Sequence, residues 1–188
     1  MNVCRYVNGK TNNQKKEVIP LMKSPKPSFK RETENNFPFT IRKKAPHENA
    51  PMDLLLLADP SEQNISTYLH TGETYVAVEG EAIVGVYVLS NIAPTVVEIM
   101  NVAVAENHQG KGLGKALIQH AIQAAKQKGM KSIEIGTGNS SIQQLALYQK
   151  CGFRMNEIIH NHFVEHYEEP IFENGIQCRD MVRLKLDL

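Results

Sequence analysis

Cysteine is scarce in this sequence. The three present, Cys4, Cys151 and Cys178, are odd in number, widely spaced and form no CxxC pair. That pattern excludes a disulfide framework and a structural zinc site, and it points to a reducing compartment. Long apolar runs are missing too. None approaches the length of a membrane span, and the first residues lack the apolar core of a secretory signal. Nor does one sign of charge dominate. Lys and Arg number 21 against 20 Asp and Glu, a formal net charge of +1, which builds no field for nucleic acid or for a membrane surface. No internal repeat occurs. The expectation is a soluble, cytoplasmic chain of 188 residues, 41% of them apolar, enough for one packed domain with an appendage.

The balanced total hides an asymmetry. Residues 1–38 hold eight Lys/Arg against three acids, and four of the nine prolines: Pro20, Pro25, Pro27 and Pro38. They show no sustained apolar period, so a poorly ordered basic extension is expected there, either dispensable or a docking arm for an acidic partner. From residue 39 to residue 188 the pattern alternates between extended and helical. It predicts strands near 39–43, 75–78, 82–89, 96–104, 131–135, 153–159 and 181–186, and helices over 47–58, 60–70, 112–128 and 140–150. Glu79-Gly80-Glu81 reads as a hairpin turn, and Gly129 and Gly152 sit where helices end. Only 96–135 reads as strand–helix–strand, which supplies one parallel pair. The fold class is α+β: one domain with a central, twisted, mostly antiparallel sheet of about seven strands, flanked by about four helices.

The segment Gln109-Gly110-Lys111-Gly112-Leu113-Gly114-Lys115 lies between a strand and a helix. Glycines let backbone approach a ligand closely, and the helix start offers free N–H groups and a positive dipole end. That is an anion site suited to phosphate, with two lysines adding charge. It is not a nucleoside-triphosphate loop, because Ala116 follows Lys115 where a hydroxyl must hold magnesium. It is not a dinucleotide fingerprint either, because Lys115 stands where the third glycine belongs.

Gln109-x-x-Gly112-x-Gly114 resembles the acyl-CoA pyrophosphate loop of the GNAT superfamily of N-acetyltransferases. A second stretch, Asn139 followed by Ala146-Leu147-Tyr148 and Gly152-Phe153, resembles that family's next signature at the expected distance. The resemblance extends over most of residues 39–188. It implies that strands 96–104 and 131–135 splay apart at a bulge and admit the pantetheine arm of acetyl-CoA. Backbone groups of Val102, Ala103 and Val104 would bind the arm, with the Val102 N–H on the thioester carbonyl. Amides of Gly110, Lys111, Gly112, Leu113, Gly114 and Lys115 would hold the pyrophosphate, and Asn139 would touch the arm from the other side.

An amine of lysine-like pKa is only about 0.04% neutral at pH 7, a deficit of about 4.6 kcal/mol if nothing removes the proton. Glu98 lies fourteen residues ahead of Gly112, the spacing of the catalytic glutamate in histone-type members, which it resembles; a general base is the implied role. Tyr148 matches the family tyrosine that protonates the leaving thiolate. Cys151 reads as core. His160 and His162 form a His-x-His pair that on a strand would face one side, but no further ligand is placed and no metal is expected. Residues 160–180, rich in acids and aromatics, read as one wall of the acceptor site, opposite the first two helices. The acceptor stays open between a small-molecule amine and a protein lysine or N-terminal amine. A catalytically silent acyl-CoA-binding module is the third reading. A homodimer through the last strands is implied by resemblance alone.

Overall fold

A computed structural model describes residues 38–188, so the expected extension over 1–38 lies almost wholly outside the described residues. The elements run β1 (Thr40–Lys43), α1 (Met52–Ala58), α2 (Glu62–Thr71), β2 (Glu73–Glu79), β3 (Ala82–Ala93), β4 (Val96–Val104), α3 (Leu113–Gln127), β5 (Ser132–Gly138), α4 (Ile142–Lys150), β6 (Arg154–Ile159), α5 (His162–His166), β7 (Phe172–Glu173), β8 (Ile176–Gln177) and β9 (Met181–Asp187). Seven strands form one sheet in the order β1-β2-β3-β4-β5-β9-β6. Every pair in it is antiparallel except β4–β5, as the strand–helix–strand pattern predicts.

Side-chain alternation along the strands sorts the core onto two faces. On one face Val97, Ile99, Ile133, Ile135, Val182 and Leu184 pack against Leu113, Leu117, Ile118 and Ala121 of α3. On the other, Val76, Val86, Val88 and Ala103 pack against Leu55 of α1 and Ile65 and Tyr68 of α2. Ser61 begins α2 by accepting a hydrogen bond from the Asn64 N–H at 3.3 Å.

Two elements differ from expectation. The first helix starts at Met52, not at 47, because Pro51 stands at its N-cap: proline fits a helix start and not an interior. The stretch between β6 and β9, for which the sequence pattern predicts neither helix nor strand, has secondary structure of its own. It holds α5 and a β7–β8 hairpin turned by Asn174 and Gly175, both at positive φ. Asn-Gly is the strongest short hairpin signal a sequence offers.

Leu117 is fully buried at the middle of the α3 stripe. Leu117→Ala is expected to lower unfolding stability by about 3 kcal/mol, read as a shift in urea midpoint with unchanged slope.

Candidate active site

The sheet is open at one place. The β4–β5 ladder runs from Val96–Ser132 to Ile99–Ile135 and stops, although β4 continues to Val104 and β5 to Gly138. On its other edge β4 stays paired with β3 out to Val104–Gly85, and that register skips Met100 as a bulge. The Ala105 N–H donates to Val84 O at 2.9 Å. Backbone direction alternates along a strand, so Ala103 also faces β3, while Val102 and Val104 turn their N–H and C=O groups into the gap. Gln109 reaches back to the Val104 carbonyl at 3.0 Å. The Val102 amide and carbonyl and the Val104 N–H remain for a ligand. Ala103 has no backbone group on that side, and its side chain is buried against α1 and α2.

β4 leads directly into the glycine loop. Gly112 caps α3 with φ 88° and ψ −4°, a left-handed conformation, and contributes no capping side chain. The first intrahelical bond is Ala116 N–H to Gly112 O at 3.1 Å, so the N–H groups of Leu113, Gly114 and Lys115 have no helical acceptor. Lys111 and Lys115 are exposed beside them, while Leu113 sends its side chain into the core. A helix of fifteen residues thus presents free amides and its positive dipole end at the mouth of the gap. Oriented strand amides, free helix amides and two ammonium groups match the pantetheine amides and the pyrophosphate of acetyl-CoA.

Tyr148 is fixed by the way α4 ends. Gly152 sits at φ 101°, the Phe153 N–H bonds to Tyr148 O at 3.1 Å, and the Gly152 N–H bonds to Gln149 O at 3.0 Å. This is a Schellman cap, whose hydrophobic contact joins the residue after the glycine to the helix. Here that contact is Phe153 against Tyr148, with ring centroids 6.4 Å apart. The Tyr-x-x-x-Gly-Phe pattern is therefore a capping device that holds the tyrosine ring. Burial pushes the Tyr148 hydroxyl well above its ordinary pKa, so it keeps its proton at neutral pH. Cys151, half-buried beside it, is also raised by burial, opposed by Lys115.

Glu98 projects from the opposite face. Val97 and Ile99 point to α3, so Glu98 points away, as do Glu134 between Ile133 and Ile135 and Arg183 between Val182 and Leu184. Arg183 Nη2 donates to Glu98 Oε2 at 2.6 Å and lies 3.6 Å from Glu134 Oε2. Burial raises the Glu98 pKa, with Arg183 opposing and Glu134 adding to the rise. The structure therefore sets Glu98 and Tyr148 on opposite faces of the sheet, with the gap opening one residue past Glu98.

On the Glu98 face, Asn101 ties β4 to both first helices, donating to Leu55 O at 3.0 Å and to the Tyr68 hydroxyl at 2.9 Å. The Tyr167 hydroxyl, just after α5, donates to Asp59 at the end of α1 at 3.2 Å. The 160–180 segment and α1 are thus linked across this face. His160 and His162 do not share a strand face, because the chain turns at Asn161, φ 58°. His162 stacks on His166 at 4.5 Å, and His160 lies 3.6 Å from Asp180. Among the described residues no group of three or more His, Cys, Asp or Glu is arranged to hold a metal, and no helix is long and apolar enough to cross a membrane.

The Asn139 side chain works within the protein. Its Oδ1 accepts from the N–H groups of Arg179 at 2.8 Å and Asp180 at 3.0 Å, and its Nδ2 donates to Gln177 O at 3.1 Å. Glu173 adds a second tie, accepting from the Ser140 and Ser141 hydroxyls. Sequence reasoning missed Arg183, Glu134, Asp59 and Asn101. The alternating run 181–187 shows that Arg183 shares a face with Lys185, but nothing local names its partner.

A strand gap with free amides, closed at one end by a phosphate-ready helix start, defines an acyl-CoA-dependent acyltransferase. The chain belongs to the acetyltransferase (GNAT) family, whose model matches residues 33–153. An uncharacterized N-acetyltransferase of Bacillus subtilis, YvbK, is 61% identical over 136 residues, 72% of this chain and 88% of its own length. An IAA acetyltransferase from Bacillus cereus superposes with a TM-score of 0.77 at 57% identity, over 80% of this chain and 99% of that one. A GNAT family acetyltransferase from Elizabethkingia anophelis, with acetyl-CoA bound, gives a TM-score of 0.79 at 48% identity over the same shares, 80% and 99%.

Asn139→Ala removes three hydrogen bonds to the 177–180 backbone. It is expected to cost about 1–3 kcal/mol and to speed amide hydrogen exchange at 179 and 180 more than anywhere in α3.

Proposed function

We propose that this acetyltransferase moves the acetyl group of acetyl-CoA onto the primary amine of a small, cationic molecule by direct attack. The observation that carries the reading is the end of the β4–β5 ladder one residue past Glu98. It brings a half-buried carboxylate to the edge of a gap whose other boundary is free backbone. In this reading the amides of 110–115 hold the pyrophosphate, and Val102 and Val104 hold the arm. Asn139 acts by fixing the backbone at 177–180. The Val102 N–H polarises the thioester carbonyl.

Glu98 takes a proton from the bound ammonium. The nitrogen lone pair then forms the C–N bond as the C–S bond breaks, and the Tyr148 hydroxyl gives the departing thiolate its proton. Nitrogen loses two protons in all: the first passes from Glu98 to water, and the second, shed once the C–N bond has formed, returns through solvent to Tyr148, which leaves one amide, one thiol and one released proton. A small acceptor is favoured by the Tyr167–Asp59 link, which spans the groove that an extended peptide would need. Charge at Glu98 favours a cation, since the two carboxylates Glu98 and Glu134 share one guanidinium, Arg183, while Lys185 on the same face lies by Asp187. A cytoplasmic setting is part of the reading, in keeping with the free thiols of Cys151 and Cys178.

The test is release of CoA thiol from acetyl-CoA against a panel of small amines and, in parallel, lysine peptides. The expected outcome is turnover with a small diamine or amino sugar and none with peptides. Glu98→Gln should lower kcat by about 10²–10⁴-fold while acetyl-CoA affinity stays unchanged. Tyr148→Phe should also lower kcat. Full turnover in Glu98→Gln would move the base role to bound water.

A further inference from the structure

Glu98 has two charged neighbours that the chemistry above does not use. In the parallel β4–β5 ladder Glu98 and Glu134 are direct partners. Their carboxylates stand side by side on one face of strands spaced about 4.8 Å apart, where like charges oppose each other's ionisation. Arg183 comes from β9, which pairs with β5 and not with β4. On β5, Arg183 stands directly opposite Gly136, which has no side chain to pair with, and Glu134 is one diagonal step away, opposite Lys185. Arg183 crosses over to Glu98 for its short contact, 2.6 Å, and leaves Glu134 at 3.6 Å. It does so while its own Nε–H stays buried with no acceptor, an arrangement that stability alone disfavours.

We propose that Arg183 is a positioning residue for the base: it fixes the Glu98 carboxylate and, with Glu134 opposing it, sets the pH at which that carboxylate takes the acceptor's proton. This rests on Glu98 being the base. Two carboxylates and one guanidinium leave the unit one negative charge in excess, which attracts an ammonium. When the ammonium N–H bond breaks and an O–H bond forms on Glu98, the remaining Glu134 carboxylate balances Arg183, and the unit becomes neutral. Other elements add little charge at Glu98. Ser90, opposite on β3, is neutral. His162 of α5 is lowered by burial first, then by His166 and Arg183, and so is kept uncharged. Glu157 on β6 and Lys185 on β9 are register partners of Arg183 and Glu134, not of Glu98.

The experiment is a titration of full-length protein labelled with carboxyl-¹³C glutamate, followed by NMR, with Glu98→Gln assigning the Glu98 signal. Arg183→Gln should move the Glu98 midpoint up by about one pH unit or more. Glu134→Gln, nearly isosteric, should move it down, and Arg183→Lys should leave it close to wild type. A midpoint that moves in neither Arg183→Gln nor Glu134→Gln, or that rises in Glu134→Gln, overturns the proposal. If Arg183→Gln does not fold, Glu134→Gln alone decides it. Thiol release separates this from the base assignment. Shifted midpoints with full turnover in Glu98→Gln would keep the unit and remove the base. Lost turnover with unmoved midpoints would keep the base and remove the unit.

Discussion

The molecule depends on one interrupted ladder. β4 is held along its full length by β3 and along only half of it by β5. Backbone amides left without partners inside a sheet are costly, so the open edge at Val102 and Val104 depends on the packing that holds β4 in place. The bulge at Met100 marks the change, and Asn101 clamps the far side of it to α1 and α2. With β4 anchored there, its last residues stay paired with β3 and not with β5. The same strand then delivers the chain into the loop at 105–112, so the helix start with its free amides lies at the gap's mouth by connectivity alone.

Donor and acceptor sides are built by different means. The proposed donor side uses backbone: strand amides, helix amides, and glycine at the left-handed positions 110 and 112. Such sites leave a mark in sequence, because the backbone conformation demands particular residues at fixed spacing. Gly112 and the Gly152-Phe153 cap that holds Tyr148 are both of this kind. The proposed acceptor side draws on single side chains from α1, α2, β4, β5, β9 and the segment around α5. Asp59 and Tyr167 meet although 108 residues separate them, and Glu98 and Arg183 meet across 85.

That division explains what could be read in advance. The apolar stripe of α3, the β4 strand and the parallel β4–β5 pair follow from periodicity, which local sequence carries. Arg183 was legible only as one face of an alternating strand, since its bond to Glu98 depends on a sheet order that places β9 beside β5. The Asn174-Gly175 turn is legible by its chemistry, a dipeptide that accepts positive φ at both positions. Asn139 stands out in the sequence by its place in a motif. Its side chain secures the 177–180 backbone, so the motif position marks a joint in the wall of the site.

The central claim is that the gap and the glycine-capped helix together form the acetyl-CoA site. Calorimetric titration of the full-length protein with acetyl-CoA, beside a Gly112→Trp variant, tests it most directly. The account predicts one site with a dissociation constant on the order of micromolar, lost in a variant that melts like wild type. No heat from folded wild-type protein, or equal binding by the variant, would contradict it.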